Sequence, residues 1–315
     1  MATVAAAAGV SGQTVSRVVN GSPRVDPATR ERVERAMAEL GYRPHRAARA
    51  LRTGRSHTIG LVVTTLATVG NSRMLQATAD AAAARGYALM LMTAGDSVGE
   101  AFARLVEQEV DGALVLNEAS ALVPAAERPA DLRLVVVDAP ADHGLVVVHS
   151  DHAGGAAAAT GRLLATGAAT VHHLAGPADS FAASERERGW RETLLAAGAD
   201  VPPVVRGDWT AEAGYAAGQR LGDAAAVFCA NDQMALGLLR ALADSGLRVP
   251  DDVAVIGFDD VPEAANFRPP LTTVRQDFEA LAHRAVALLV AEIEGAASPA
   301  STVVPTTLIE RSSSR

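Results

Sequence analysis

Between Ser11 and Asn20, Val15, Val18 and Val19 fall on one side of a helical repeat, and Gln13, Thr14, Ser16, Arg17 and Asn20 are left for the other. Glutamine and arginine can each make paired hydrogen bonds to base edges, and serine, threonine and asparagine can bond phosphates. A second group is spread along the chain. Asp138 follows the apolar run Leu134–Val137, Asn231 and Asp232 follow Phe228–Ala230, and Asp259 follows Ile256–Phe258. Arg186 opens a helix-prone stretch, and Trp209 and Phe278 are two of only eleven aromatic residues. Carboxylate, amide and guanidinium groups take paired sugar hydroxyls, while an aromatic face covers the apolar face of a pyranose. Taken alone, each acid is as well explained as a helix cap or surface charge and Trp209 as core. Asp232 reads as a cap or lobe-stabilising group. His172 and His173, adjacent on a strand, read as core and surface.

The elements that must position these residues follow from periodicity and punctuation. Val4–Ala8 is strongly helix-prone, Gly9 ends it with a positive φ, and Ser11 is placed to cap a second helix, Gly12–Asn20, by accepting from the amide near Thr14. Asp26-Pro27 opens a third helix to Leu40, with Val33, Met37 and Leu40 closing a small core. Tyr42–Leu51 is basic and helix-prone after Pro44, which suits either a linker or a short helix. Beyond it, apolar strands alternate with helices: strands at 59–64, 88–93, 112–116, 132–137, 145–148, 170–174, 225–229 and 253–257, and helices at 74–85, 98–109, 155–166, 184–197, 211–221 and 233–245. This alternation predicts doubly wound parallel sheets, and its length predicts two similar lobes with a cleft beyond the strand ends.

The chain has 315 residues, 49% of them hydrophobic and 20% charged, which excludes wholesale disorder. A single cysteine, Cys229, excludes a disulfide scaffold and a thiolate zinc site. Apolar runs are too short to span a bilayer, and the start lacks the pattern of a secretory signal, so a cytoplasmic protein is expected. Residues 1–57 carry ten arginines against four acids, a net +6, whereas the rest carries −14. A small basic head on an acidic body fits nucleic-acid binding by the head. No Ser-His-Asp pattern, metal-ligand spacing or phosphate-loop fingerprint stands out, so no cofactor and no enzyme activity are expected.

Ala8-Gly9-Val10-Ser11, Thr14–Asn20 and Thr29–Val33 resemble the head of the lactose repressor (LacI/GalR) family in order and spacing. The body resembles it as well, at Leu174–Pro177, Gly207-Asp208-Trp209, Asn231–Gly237, Ser245–Val249 and Pro269–Phe278. The resemblance implies an all-α helix-turn-helix head over 1–42 and a hinge helix and linker over 43–57. A two-lobe, periplasmic-binding-protein-like α/β core follows over 58–311, with one lobe from 58–150 and 278–304 and the other from 151–277 and 305–311. It implies that Gln13 and Arg17 read bases, that Ser11, Thr14, Ser16, Asn20 and Thr29 lie near phosphates, and that Leu51, beside Ala48, wedges into the minor groove. It implies a small sugar effector, a galactoside among the candidates, held by Asp138, Arg186, Trp209, Asn231, Asp259, Gln276 and Phe278.

The implied function is a sequence-specific repressor that binds double-stranded operator DNA as a homodimer and is released by its sugar. A co-repressor-dependent regulator of the same kind and, with less support, a solute-binding protein are the alternatives. The dimer is expected because the chain ends without a leucine-heptad tail. Two departures limit the transfer. Gly12 stands where many relatives place a larger base-contacting side chain. Asp96 and the stretch Thr68-Val69-Gly70-Asn71, with Met74 after it, change the first lobe's side of the pocket.

Overall fold

The computed structural model describes residues 1–19, 22–42, 54–95, 97–123, 126, 128–141, 144–221, 223–297 and 299–314. The chain divides into two units, Met1–Ser56 and His57–Arg315. The expected hinge residues Ala48 and Leu51, together with Asn20 and Asp96, lie outside the described residues.

The first unit contains helices α1 (Ala2–Ala8), α2 (Gly12–Val19) and α3 (Pro27–Glu39). Gly9 ends α1 at φ 64°, and the Val10 amide reaches back to the Ala5 carbonyl at 3.0 Å. This closes the helix with a left-handed residue that glycine adopts without strain. The Ser11 hydroxyl accepts from the Thr14 amide at 3.1 Å, and Asp26 accepts from Thr29 at 3.1 Å with Pro27 in the first turn of α3. Val4, Ala5, Ala8, Val15, Val18, Val33 and Ala36 form the core. Leu40, expected in that core, is 45% exposed. Helix α3 stops at Glu39, Gly41 turns the chain at φ 59°, and Tyr42 folds back onto the cluster where Leu40 was expected. The Tyr42 amide donates to the Met37 carbonyl at 2.8 Å, the bond such a glycine-terminated helix end makes.

The second unit holds two six-stranded sheets. The strands are β1 (Thr58–Val63), β2 (Ala88–Thr93), β3 (Gly112–Leu116), β4 (Arg133–Val137), β5 (Val146–Ser150), β6 (His172–Ala175), β7 (Val205–Arg206), β8 (Ala226–Cys229), β9 (Ala254–Asp259), β10 (Thr272–Arg275), β11 (Ser301–Val304) and β12 (Thr307–Ile309). The helices are α4 (Val69–Ala84), α5 (Val98–Glu107), α6 (His152–Leu164), α7 (Phe181–Ala196), α8 (Ala211–Gly218), α9 (Asp232–Asp244) and α10 (Phe278–Glu294). One sheet runs β11-β5-β4-β3-β1-β2 and is parallel throughout; the other runs β12-β10-β9-β8-β6-β7, with only β12 antiparallel. The chain passes between the lobes after β5, between β10 and α10, and between β11 and β12.

Each sheet is covered on both faces, which is why its central strands are apolar throughout rather than alternating. Helices α4 and α10 pack on one face of the first sheet through Met74, Ala81, Leu281 and Leu289, and α5 packs on the other through Phe102 and Leu105. In the second lobe Met234 and Leu238 of α9 fill one face, and Trp190 of α7 and Leu163 of α6 fill the other. Helix α4 begins at Val69, five residues before the sequence expectation, because Thr68 caps it by accepting from the Asn71 amide. Strands β7, β10, β11 and β12 and helix α10 are further elements that the alternation reading did not include.

His173 is fully buried and stacks on Phe228 at 4.8 Å, while His172 is half-buried. Burial pushes His173 down to about 4 from 6.5, although its Nδ1 contacts the Phe228 carbonyl. The unfolded chain therefore takes up a proton at a pH where the folded chain does not. Stability is present above the unfolded value and is lost as pH falls from there toward the folded one. Urea unfolding should show wild type losing about 2 kcal/mol more than a His173→Gln variant between about pH 7 and about pH 5. Equal pH dependence of the two proteins contradicts this.

Candidate functional site

On the first unit, α2 exposes Gln13 and Arg17, while Ser16 and Thr14 are half-buried beside the core valines. Ser11 is exposed, but its hydroxyl is committed to the Thr14 amide and lies 3.0 Å from the Thr14 hydroxyl. Thr29 accepts from Arg32 at 3.2 Å. The helix thus presents one amide and one guanidinium side chain to solvent on a rigid, capped scaffold.

On the second unit, the loops beyond the carboxyl ends of both sheets line a cleft that is open to solvent. Doubly wound sheets place ligands there because strand order reverses between β1 and β3 and between β6 and β8, leaving a crevice. Asp138, Arg186, Trp209, Asn231, Asp259, Gln276 and Phe278 all line it. Thr68, Gly70, Asn117, Glu118 and Phe181 line it too. Met74, by contrast, lies in the first lobe's core, and Asn71 is buried, donating to the Thr65 carbonyl at 3.0 Å.

Arg186 is the sixth residue of α7, not its first turn, and is buried. Its Nη1 donates to the Ala230 carbonyl, and its Nε and Nη2 point to His152 Nδ1 at 3.4 and 3.3 Å. The guanidinium lies 3.9 Å from the centre of the Phe258 ring and 5.5 Å from Trp209. Asp259 is 3.7 Å away and accepts from Gln276 Nε2 at 2.7 Å. Burial pushes the Asp259 carboxyl above its ordinary range, with Arg186 opposing.

Asp138, from the other lobe, accepts from His152 Nε2 at 2.9 Å. Burial works to raise its carboxyl, but the hydrogen bond from His152 and the nearby Arg186 charge hold it below the ordinary range. Ser120 fixes its backbone carbonyl at 2.8 Å.

Asn231 caps α9 by accepting from the Met234 amide at 2.9 Å and donates to the Trp209 carbonyl at 3.0 Å. It holds the loop that carries the indole. Asp232 stands outside the cleft: it is buried, accepting from the Val261 amide at 2.9 Å and the Thr273 hydroxyl at 2.6 Å. Burial, with the nearby Asp259 charge, raises its carboxyl well above the ordinary range.

Three buried polar atoms of the lining have no hydrogen-bond partner: Asn117 Oδ1, Trp209 Nε1 and Gln276 Oε1. Such atoms are rare in folded proteins, because each costs about 1–3 kcal/mol when unpaired. The lining also carries local backbone strain. Asn117, Asp138, Trp209 and Asp259 have φ of 49°, 57°, 74° and 113°, a region that side-chain-bearing residues seldom enter. Asn117 follows an apolar strand in the same way as Asp138 and was open to the same reading. His152 gave only a weak signal, a histidine two residues past the end of β5. Among the described residues no group of three or more His, Cys, Asp and Glu could hold a metal ion, and no helix is long and apolar enough to cross a membrane.

These features define a helix-turn-helix unit followed in the chain by a two-lobed body with a polar cleft between its lobes. The family of bacterial regulatory proteins named lacI matches residues 1–45, and the periplasmic binding protein-like domain matches residues 160–314. The chain is 40% identical over 328 residues to the transcriptional regulator CelR of Thermobifida fusca, covering 98% of this chain and 96% of that one. It is 36% identical to the lactose operon repressor of Escherichia coli K12, covering 98% and 88%. The lac repressor dimer bound to operator and the anti-inducer ONPF superposes with a TM-score of 0.88 at 33% identity, covering 99% and 97% of the two chains. The CelR–cellobiose complex superposes with a TM-score of 0.75 at 38% identity, covering 99% and 98%. The chain belongs to the LacI family, and its relatives are transcriptional regulators.

Gly176 makes room for the Trp209 indole: a Cβ there would meet the ring at 2.2 Å. Gly176→Ala should therefore displace Trp209 and cost about 1–3 kcal/mol of overpacking. The indole emission should shift, with Trp209→Phe as the control that isolates Trp190. Unaltered emission and stability would show that the ring is free to move.

Proposed function

We propose that the protein is a sequence-specific transcriptional repressor of sugar-utilisation genes that leaves its operator when a small sugar fills the cleft between its lobes. The observation that carries this reading is the cavity's chemistry. Asn117, Trp209 and Gln276, which carry unpartnered donor or acceptor atoms, line the cleft together with the aromatic side chains of Trp209 and Phe278. Hydroxyls both donate and accept, which suits such atoms, and a pyranose ring face suits such walls. Asp138, Arg186, Trp209, Asn231, Asp259, Gln276 and Phe278 are the effector residues of this reading, and the relatives bound to cellobiose or to ONPF support it.

Residues 1–42 serve as the DNA-binding head, 43–57 as hinge and linker, and 58–311 as the effector and dimerisation core. Gln13 and Arg17 read bases; Ser11, Thr14, Ser16, Asn20 and Thr29 contact phosphates; Ala48 and Leu51 belong to the hinge. The protein acts as a cytoplasmic homodimer without enzymatic activity, and two-fold symmetry calls for a roughly palindromic site. Ligand releases the operator only by binding the DNA-incompetent arrangement more tightly than the competent one.

Operator selection followed by mobility-shift titration tests both halves. Arg17→Ala should cost about 1–3 kcal/mol and relax preference at one base pair in each half-site. Equal affinity of wild type and variant removes Arg17 from the reading surface. Arg186→Ala should bind the selected operator as wild type does yet fail to be released by the sugar that releases wild type. Release of the variant at the wild-type sugar concentration would place the effector elsewhere.

A further inference from the structure

His152 joins the two lobes through a pair of buried contacts. It is the first residue of α6 in the second lobe, and it is 1% exposed. Its Nε2 lies 2.9 Å from Asp138 Oδ1, at the end of β4 in the first lobe. Its Nδ1 receives Arg186 Nε and Nη2 at 3.4 and 3.3 Å, within its own lobe. Arginine offers only donors, so Nδ1 accepts, and Nε2 carries the proton that Asp138 accepts. The imidazole edge therefore passes one donor–acceptor direction from the second lobe into the first. Phe258 and Phe181 stand 6.0 and 6.3 Å from the ring and leave it no alternative polar partner from those sides.

We propose that His152 is the positioning residue of the cleft: it fixes Asp138 and Arg186 relative to each other across the lobe boundary and so sets the closed separation at which an effector is read. This deepens the reading of the cleft as the effector site and rests on it. Asp138 Oδ1 and one edge of the Arg186 guanidinium are taken up by the imidazole and one Nη1 hydrogen by the Ala230 carbonyl, and Oδ2 together with the guanidinium hydrogens that remain is left to meet ligand. A second link, Arg73 Nη1 of α4 to the Asp260 carbonyl at 3.4 Å, lies at residues remote in sequence from the first. Without the polar atoms of His152 the lobes would be held by the second contact, by Val69 against the second lobe's core, by His149 against Phe181 and by the chain crossings.

Glutamine is the conservative replacement. Its amide carries an acceptor and a donor on one carbon, as imidazole carries Nδ1 and Nε2 on Cε1. Phenylalanine keeps the ring and removes both polar atoms.

The test needs no sugar and no DNA, so it is separate from the fate of the proposed function. Cys229 is buried, which leaves cysteines introduced at two exposed positions, Val106→Cys on α5 and Leu195→Cys on α7, free for spin labelling. Labelled full-length chain, diluted into unlabelled chain, reports the separation of the lobes by double electron–electron resonance. Wild type and His152→Gln should give a single narrow distance, and His152→Phe should gain a longer second one. A narrow, unshifted distance in His152→Phe overturns the proposal. So does a long-range ¹H–¹⁵N spectrum of the wild-type protein, needing no variant, that shows the His152 proton on Nδ1. The proton on Nε2 with a bare Nδ1 is the required signature.

Discussion

A buried guanidinium is the constraint around which the body is organised. Arg186 is 4% exposed, and an arginine stays charged at any pH the protein meets. Removing such a group from water costs several kcal/mol unless neighbours replace its hydration. The replacements come from across the second lobe and beyond it: the Ala230 carbonyl after β8, Asp259 at the end of β9, the Phe258 ring, and His152 at the start of α6. Asp138 enters from the first lobe through His152. Each partner sits at a strand end or helix start, where backbone geometry fixes side-chain direction. Satisfying one cation thus ties together the elements that form the cleft.

Polar pairing is incomplete among the residues that line the cavity. Asn117, Trp209 and Gln276 keep buried polar atoms without partners, and four lining residues hold positive φ. Neither feature favours folding. Strain of this kind costs about 1–3 kcal/mol per residue and persists only where surrounding structure over-determines it. The surrounding structure is identifiable: Ser120 pins the Asp138 carbonyl, and Asn231 pins the Trp209 carbonyl while capping α9. Under the proposed function these features are the part of the cleft that ligand completes. In a regulator, that arrangement makes the ligand's differential affinity for two lobe arrangements available as a switch.

Much of this was legible in the sequence, for physical reasons that also explain the gaps. Parallel strands buried on both faces write themselves as unbroken apolar runs, so Arg133–Val137 and Ala226–Cys229 stood out and Asp138 and Asn231 after them pointed to the cleft, whereas Asn117, placed in the same way after Gly112–Leu116, was passed over. Helix caps were equally plain at Ser11 and Asp26, where a short polar side chain precedes a helix-prone run. Short strands such as Val205–Arg206 and Thr307–Ile309 carry too few residues to show a period. Leu40 kept helical spacing but fell one residue beyond the helix, where Gly41 redirects the chain and Tyr42 takes its place. His152 was missed because its role depends on Asp138 and Arg186, fourteen and thirty-four residues away. A single sequence does not write such pairings down.

The central claim is that the unpartnered atoms of the cleft are the recognition surface for a hydroxyl-bearing ligand. A crystal structure of the full-length protein with the sugar that most raises its melting temperature tests this directly. The account predicts ligand hydroxyls within about 2.7–3.2 Å of Gln276 Oε1, Asn117 Oδ1 and Trp209 Nε1, with the ring of the sugar against Trp209 or Phe278. A sugar bound elsewhere on the protein, or one in the cleft that leaves those three atoms without partners, would contradict it.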